Sequence, residues 1–137
     1  MKTIDEIKIK DTAEFSFVYS GDQHNKFMLL SEDKSPVHTD DEFARHAKFK
    51  EKIGYGFFIG SVLSRLYGEF LPGGSSICLS QTLKFTHPFY IGEELIARGM
   101  VISKSSATKV ITISTKIFRA KDCIRVFEGE GLVKIIT

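Results

Sequence analysis

The second half of the chain alternates apolar and polar residues over four long segments, which predicts a β-sheet. In residues 76–86, SICLSQTLKFT, the alternation places Ile77, Leu79, Leu83 and Phe85 on a predicted buried face. Residues 94–104, 108–119 and 122–135 continue the pattern, and the turn-like stretches HPFYIG, SSA and AKD separate them. Long strands joined by short turns favour an antiparallel sheet.

The first half of the chain predicts one strand followed by helices. Residues 14–19, EFSFVY, alternate weakly as a strand does, and residues 22–31 follow capping residues and carry apolar side chains as a helix does. Asp40 and Asp41 stand where the N-terminus of a further helix favours negative charge. Residues 55–70 are apolar on nearly every side, which predicts a buried helix. Small residues recur in it, at Gly56, Gly60, Ser61 and Ser64, and predict close packing against the sheet.

A buried helix followed by a run of strands indicates an α+β fold rather than alternating βαβ units. The chain has 137 residues, of which 42% are hydrophobic and 26% charged, so we expect a single folded domain spanning residues 1–137. The expected architecture is a curved antiparallel β-sheet wrapped around the helix at 56–70, an arrangement that resembles the hotdog fold.

Charge and composition exclude several classes of function. The formal net charge is +2 and no block of like charge occurs, so nucleic acid is not an expected partner. The N-terminus lacks the apolar core of a signal peptide, and no run approaches the roughly 20 apolar residues that span a bilayer. We therefore predict a cytoplasmic protein with no membrane segment.

The cysteines and histidines show no spacing typical of a disulfide framework or a metal site. Cys78 and Cys123 lie on predicted strands and are interpreted as reduced core residues. No HxxxH or CxxC pair occurs, and only His38 with Asp40 and Asp41 hints at a hard-metal site, so no metal and no cofactor are predicted. The remaining histidines are expected at the surface or in turns: His24, His46 and His87.

The stretch FMLLSEDKSPVHTDD carries the most informative pattern. It resembles the signature of the MaoC-like (R)-specific enoyl-CoA hydratases, an apolar helix followed by Ser-Gly-Asp-x-Asn-Pro-x-His-x-Asp, with Asp33, Pro36, His38 and Asp40 in matching positions. IGYGFFIGS resembles the start of the family's central helix, and SSICLSQTLKFTHPFYIGEEL resembles its long strand and following turn. The resemblance runs from about residue 15 to the C-terminus and implies the hotdog fold.

Three residues depart from that family pattern. Glu32 stands where the family usually has glycine, Ser35 where it has asparagine, and Tyr55 where it commonly has histidine before the glycine. Ser35 and Pro36 remain candidates for supporting the loop. Because Asp33 and His38 are intact, the resemblance implies that the chemistry is retained and that the substrate or the loop geometry differs.

The resemblance also implies roles for individual residues. Asp33 and His38 would hold the attacking water and share its proton transfers, with the pKa of Asp33 raised by a partly apolar cleft, and which of the two is the base stays open. Gly56 would open the central helix and offer its N–H to the thioester oxygen. Ser61 would support the catalytic groups. If the family's imidazole is needed at position 55, the protein is a poor hydratase; our own expectation is instead that Tyr55 lines the entrance and positions substrate. By spacing alone, Asp33 and His38 are more typical of a capping carboxylate and a surface imidazole than of a catalytic pair.

The function implied is reversible hydration of trans-2-enoyl-CoA to (R)-3-hydroxyacyl-CoA, by a hydro-lyase of fatty acid metabolism that acts on an acyl-CoA thioester. Alternatives are a 3-hydroxyacyl dehydratase acting on acyl carrier protein, a hotdog thioesterase, and a non-catalytic module that binds acyl thioesters. Because a lone hotdog sheet has open edges, we expect a homodimer, in which two sheets pair side by side.

Overall fold

Six antiparallel strands form one sheet in the computed structural model, which describes residues 2–137. The strands are β1 (Thr12–Val18), β2 (Ser76–Gln81), β3 (Lys84–Phe85), β4 (Glu94–Ser105), β5 (Val110–Arg119) and β6 (Arg125–Ile135). Their order across the sheet is β1-β4-β5-β6-β2, and β3 also pairs with β6. The predicted antiparallel sheet and the α+β class are confirmed.

The helices lie in the first half of the chain, as predicted. They are α1 (Gly21–Ser31), α2 (Pro36–Thr39), α3 (Asp41–His46) and α4 (Phe58–Arg65), with a 3-10 turn at Ile4–Glu6 and a π-helical continuation of α4 at Leu66–Phe70. A capping box begins α1, because the Ser20 hydroxyl accepts from the Gln23 N–H at 3.1 Å and the Gln23 side chain accepts from the Ser20 N–H at 3.2 Å.

Helix α4 packs on the sheet mainly through large side chains, and this corrects the prediction of close packing for its small residues other than Gly56. Ile59, Leu63 and Leu66 are buried, whereas the space around the Cβ position of Gly60 is open to 4 Å. The close approaches are made by Gly56, where a Cβ would lie 3.1 Å from Phe85 of β3, and by the sheet glycine Gly99, where a Cβ would lie 3.2 Å from Leu66. The helix is therefore buried on one side only.

The segment predicted as one long half-buried strand, residues 76–86, forms the two short strands β2 and β3. A bulge between Cys78 and Ser80 and a break after Gln81 interrupt it. Its predicted buried face is exposed to between 38% and 54% at the four apolar residues: Ile77, Leu79, Leu83 and Phe85. Alternation predicted burial of these four side chains, but within residues 2–137 they are covered only in part, Phe85 for example by the ring of Phe127.

The structure also corrects the expected burial of three titratable residues. Cys78 and Cys123 are free and exposed rather than in the core. His24, expected at the surface, is buried with 2% of its area exposed, while His46 and His87 are exposed as expected. Within residues 2–137, no helix has the length and apolar character needed to cross a membrane.

Candidate active site

A short loop between α1 and α2 carries Asp33 towards His38. Glu32, the residue that ends α1, adopts the left-handed conformation with φ 60°, which turns the chain sharply. The Asp33 carboxylate then accepts from the Ser35 N–H at 2.9 Å. Pro36 occupies the first turn of α2, where its missing N–H costs nothing, and His38 follows two residues later in the same turn. Ser35 and Pro36 thus shape the loop.

The imidazole of His38 has one nitrogen committed and one available. Its Nδ1–H donates to the carbonyl of Ile53 at 2.8 Å, and because a carbonyl only accepts, Nδ1 carries the hydrogen. In the neutral ring, Nε2 then bears the lone pair. His38 is half-buried and lines a cavity of about 400 Å³ together with Gly56, Phe57 and Phe85.

Asp33 lies in a more polar setting than the sequence analysis expected. Its side chain is exposed, and its pKa is lowered, first by the backbone N–H of Ser35, then by the Ser35 hydroxyl, and further by the nearby His38. The expectation of a raised pKa in an apolar cleft is therefore wrong for the single chain. Asp33 is a carboxylate at neutral pH, suited to accepting a hydrogen bond or a proton.

Gly56 lines the same cavity, and its backbone N–H is unpaired among the described residues. Its carbonyl accepts from the Ile59 N–H at 3.0 Å in the first turn leading into α4, whereas its own N–H donates to no acceptor within residues 2–137. A Cβ on Gly56 would lie 3.1 Å from the ring of Phe85, so a larger residue would narrow the cavity there. The regular helix begins at Phe58, two residues after the predicted opening glycine.

Tyr55 does not line the entrance, and this corrects the role predicted for it. Only 2% of its area is exposed. Its hydroxyl donates to the backbone carbonyl of Asp33 at 2.5 Å, and its ring stacks on His38 with the centroids 4.1 Å apart. Tyr55 therefore holds both candidate catalytic residues instead of contacting a ligand that enters from solvent.

Ser61 lies on a different face of α4 from the cavity that holds His38. Its hydroxyl donates to the carbonyl of Phe58 at 2.7 Å, and it borders a small cavity beside Phe15 and Phe17. Ser61 makes no contact with Asp33 or His38 among the described residues, so its predicted role of supporting them is wrong. Ser64, three residues later, borders a separate groove.

That groove, which we call the helix groove, runs between α4 and the strands β2 and β3. It has a volume of about 340 Å³. Its lining consists largely of small and apolar side chains, among them Gly60, Leu63, Ser64, Tyr67, Cys78 and Leu83. No described residue lines both the groove and the His38 cavity, but Gly60 follows Gly56 by four residues and Leu83 lies two residues before Phe85, so the two are neighbours along the chain.

Two buried residues that the sequence analysis did not assign to the site bond to its backbone. The Nε2–H of His24 donates to the carbonyl of His38 at 2.8 Å, and the hydroxyl of Tyr19 lies 2.6 Å from Nδ1 of His24. The same hydroxyl accepts from the Tyr55 N–H at 3.1 Å. No spacing in the sequence signals this arrangement, because the partners of Tyr55 and His38 come from 36 and 14 residues away.

The acidic residues beside His38 have structural partners. Asp40 caps α3, its carboxylate accepting from the backbone N–H groups of Glu42 and Phe43, and Asp41 accepts from the Lys52 N–H at 2.9 Å. In the described part of the chain, residues 2–137, no three His, Cys, Asp or Glu side chains are grouped so as to hold a metal ion.

An antiparallel sheet packed on a central helix defines a hotdog arrangement, in which His38 and Gly56, whose N–H is unpaired within residues 2–137, line one cavity. The chain matches the family model of the MaoC like domain over residues 2–119. It therefore belongs to the MaoC-like family, and the resemblance noted in the sequence is confirmed.

Named relatives extend this result. The chain is 33% identical to an (R)-specific enoyl-CoA hydratase of Aeromonas caviae over 94% of this chain and 96% of that protein. It is 28% identical to a mitochondrial 3-hydroxyacyl-[acyl-carrier-protein] dehydratase of Arabidopsis thaliana over 91% of this chain and 75% of that protein.

Solved structures share the fold. The (R)-hydratase from A. caviae involved in PHA biosynthesis superposes with a TM-score of 0.88 at 32% identity, covering 94% of this chain and 97% of that chain. The ChsH1-ChsH2 complex from Mycobacterium tuberculosis, at 15% identity, has the same fold with a TM-score of 0.82 over 93% of this chain and 98% of that chain. The predicted hotdog fold is confirmed.

Proposed function

We propose that the protein is a hydro-lyase, an (R)-specific enoyl-CoA hydratase that adds water reversibly to trans-2-enoyl-CoA. One observation carries this proposal: His38 and the unpaired N–H of Gly56 line the same cavity. Hydration of an enoyl thioester needs a proton acceptor for water and a donor for the charge that develops on the thioester oxygen, and these two groups supply them. The similarity to the A. caviae hydratase supports the same reaction.

The proposed mechanism uses Asp33 and His38 as a pair. The thioester oxygen accepts from the Gly56 N–H, which stabilises the enolate that forms when water adds to the β-carbon. The Asp33 carboxylate and His38 Nε2 hold the water, and one of them takes a proton from it as its oxygen bonds to the β-carbon. The same proton then passes to the α-carbon as the enolate collapses. No net charge or electron is gained or lost.

The helix groove suits the acyl chain of such a substrate. Its residue Gly60 follows Gly56 of the His38 cavity by four residues, and its walls are formed largely of glycine, leucine and other small or apolar side chains. The hydroxyl of Tyr67 donates to the side chain of Gln81, and both residues line the groove. Burial of an acyl chain here would gain roughly 0.8 kcal/mol for each buried CH₂ group.

We further propose that two copies of the chain pair side by side through β2, an edge strand of the sheet. The apolar side chains of Ile77 and Leu79 on this strand are 49% and 54% exposed, and they line neither the His38 cavity nor the helix groove. An edge strand has unpaired backbone groups, and a second copy would pair with them and cover both side chains symmetrically.

A test of this assembly is the mass in solution by light scattering at micromolar concentration. We expect twice the chain mass of 15.4 kDa. Leu79→Lys should shift the protein towards the monomer, whereas Leu30→Lys, at an exposed position on α1, should not. A monomeric wild-type protein would contradict the proposal.

The cytoplasmic location stays a prediction.

A second candidate function is dehydration of a 3-hydroxyacyl group carried on acyl carrier protein. The similarity to the Arabidopsis dehydratase favours it, because that relative is named for the carrier-bound substrate. The chemistry is the reverse of hydration at the same atoms, so the two candidates differ in the carrier and not in the catalytic groups.

One assay distinguishes the hydratase from the carrier-protein dehydratase, and both from a thioesterase or a non-catalytic binding module. Purified protein is mixed with crotonyl-CoA, and separately with crotonyl-acyl carrier protein, and loss of the enoyl absorbance is followed beside release of free thiol. We expect enoyl loss with crotonyl-CoA, (R)-3-hydroxybutyryl-CoA as the product, and no thiol. Faster reaction of the carrier-bound substrate would favour the second candidate. Thiol release without enoyl hydration would indicate a thioesterase, and no reaction with either would indicate a binding module.

A further inference from the structure

A buried chain of hydrogen bonds joins the two halves of the candidate site. It runs from the N–H of Tyr55 to the hydroxyl of Tyr19, from there to Nδ1 of His24, and from Nε2 of His24 to the carbonyl of His38. Tyr55 precedes the oxyanion donor Gly56, and His38 is one of the two proton-transfer residues. A single pair of side chains thus contacts the backbone at both ends of the reaction centre.

The partners fix the direction of every bond in this chain. The carbonyl of His38 only accepts, so Nε2 of His24 carries the hydrogen and Nδ1 of the neutral ring accepts from Tyr19. The Tyr19 hydroxyl has one hydrogen to give and accepts the N–H of Tyr55, which uses both of its roles. Burial raises the pKa of Tyr19 to about 12 and lowers the pKa of His24, so both rings are neutral at pH 7 and the directions hold.

The pair is also held rigidly by its surroundings. Tyr19 has no exposed area and His24 only 2%. The Tyr19 ring packs edge-on against Phe58 and Phe89, with centroids 5.0 and 4.9 Å away. His24 in turn lies against the ring of Tyr55 at 4.7 Å. Because both side chains are enclosed in this way, bulk solvent cannot replace a hydrogen bond that either of them loses.

We propose that Tyr19 and His24 are positioning residues that fix the location of the His38 imidazole relative to the Gly56 N–H. Neither side chain lines the cavity. His24 acts through the backbone of His38, which lines it, and Tyr19 acts through the backbone of Tyr55, which precedes Gly56. The inference rests on the proposed function for its kinetic consequence only. The positioning itself is a property of the folded protein and can be measured without substrate.

Three substitutions separate the links of the chain. Tyr19→Phe keeps the packing and removes the hydroxyl. His24→Gln places an amide N–H where Nε2 lies and can still donate to the His38 carbonyl, whereas His24→Asn reaches only to the Nδ1 position and loses that bond. Tyr90→Phe is the matched control, because its buried hydroxyl also accepts a backbone N–H, from Lys50 at 3.3 Å.

The expected kinetic result is a loss of kcat with little change in KM. A misplacement on the order of 1 Å can cost about 100-fold in rate, so we expect kcat to fall by about 10- to 100-fold in Tyr19→Phe and His24→Asn. His24→Gln should recover part of that loss, KM should stay within about threefold, and Tyr90→Phe should match the wild type. Equal kcat in all the folded variants would overturn the proposal.

A readout without substrate keeps the inference independent of the activity. In amide and ring ¹⁵N–¹H spectra, Tyr19→Phe should shift the Gly56 amide and the His38 ring signals, while Tyr90→Phe should leave both unchanged. A purely structural role would lower the melting temperature of Tyr19→Phe and leave those signals in place, and that result would overturn the proposal.

If the wild type hydrates no enoyl thioester, the proposed function fails and the spectra alone decide the positioning role. Should Tyr19→Phe not fold, the two His24 variants supply the same comparison.

Discussion

The hydroxyl of Tyr55 donates a hydrogen bond to the backbone carbonyl of Asp33 across 22 residues of sequence. Because the ring of Tyr55 also stacks on His38, one buried side chain contacts both residues proposed for proton transfer. The family commonly has histidine at this position, whereas this chain has Tyr55, whose phenol hydroxyl forms a hydrogen bond to the backbone.

Removing that hydroxyl should impair catalysis more than binding. In Tyr55→Phe the stacking on His38 is kept, but the Asp33 carbonyl loses its donor and the loop gains freedom. We expect kcat to fall by about tenfold, with KM nearly unchanged, since transition-state alignment is lost and ground-state binding is not. Steady-state kinetics with crotonyl-CoA measures this. A rise in KM at constant kcat would return Tyr55 to the entrance-lining role.

Asp33 and His38 should behave as one unit. Asp33→Asn and His38→Ala each remove a group that holds the water, so we expect each to lower kcat by about two to four powers of ten without loss of fold. The double variant should be little worse than either single variant, because both act on the same water. Circular dichroism confirms folding of each variant. Additive losses would show that the two residues act at separate steps.

Most of the fold could be predicted from local sequence patterns. Strand alternation and helix capping depend on neighbouring residues, and they located the sheet and the capped helices α1 and α3, with Ser20 and Asp40 as caps. The apolar pattern of β2 and β3 was visible as well. A pattern cannot say whether a face is covered by its own chain or by another, so the predicted burial of that segment was wrong.

The supporting residues of the site could not be predicted. Asp33, His38 and Gly56 belong to motifs that resemble those of the MaoC-like family, so the sequence alone could single them out. Tyr19 and His24 act through backbone atoms far away in the sequence, and many residue pairs could provide the same bonds. No local pattern distinguishes such a histidine from one at the surface, and its burial emerges only when α1 packs against α2.

Glu32→Gly should stabilise the protein. Glu32 has φ 60°, a conformation that crowds the Cβ of any residue except glycine, and its side chain is exposed. Relief of that crowding, less the extra chain entropy of glycine, should raise the free energy of unfolding by about 0.5–1 kcal/mol. Thermal unfolding should show a melting temperature higher by about 2–5 °C.

The control for this change is Glu42→Gly in the first turn of α3, where the backbone is helical. Glycine should lower stability there by up to about 1 kcal/mol, because it adds entropy to the unfolded chain and relieves nothing. Equal effects of the two substitutions would show that the left-handed conformation at Glu32 carries no strain.

His24 should make the fold less stable in mild acid. Burial, above all, and the nearby charges of Lys52 and His38 lower its pKa, while the bond to the His38 carbonyl opposes them. In the unfolded chain a histidine binds a proton below about pH 6.5, whereas the folded protein resists until lower pH. The unfolded state therefore gains protons first, and the stability present above pH 6.5 is lost as the pH falls.

Urea unfolding at pH values between 5 and 7 measures this contribution. The wild type should lose stability across that range, and His24→Gln should lose less, because its amide does not titrate. Asp33 and the other carboxylates with lowered pKa values change stability only at lower pH, so they do not overlap this window. Parallel curves for the two proteins would show that His24 is not held neutral.

The last prediction tests whether the helix groove receives the acyl chain. Gly60 borders the groove, and the space where its Cβ would lie is open, so Gly60→Leu should fold without a clash. The helix should gain up to about 1 kcal/mol from loss of the glycine, and the leucine side chain should occupy part of the groove. Crotonyl-CoA, whose chain is short, should be hydrated within about twofold of the wild-type rate, whereas kcat/KM for an eight-carbon enoyl-CoA should fall by tenfold or more, about the cost of excluding several CH₂ groups. The ratio of kcat/KM for the two substrates is the measurement, taken on protein whose mass by light scattering matches the wild type. An unchanged ratio would mean that the acyl chain leaves the His38 cavity by another route.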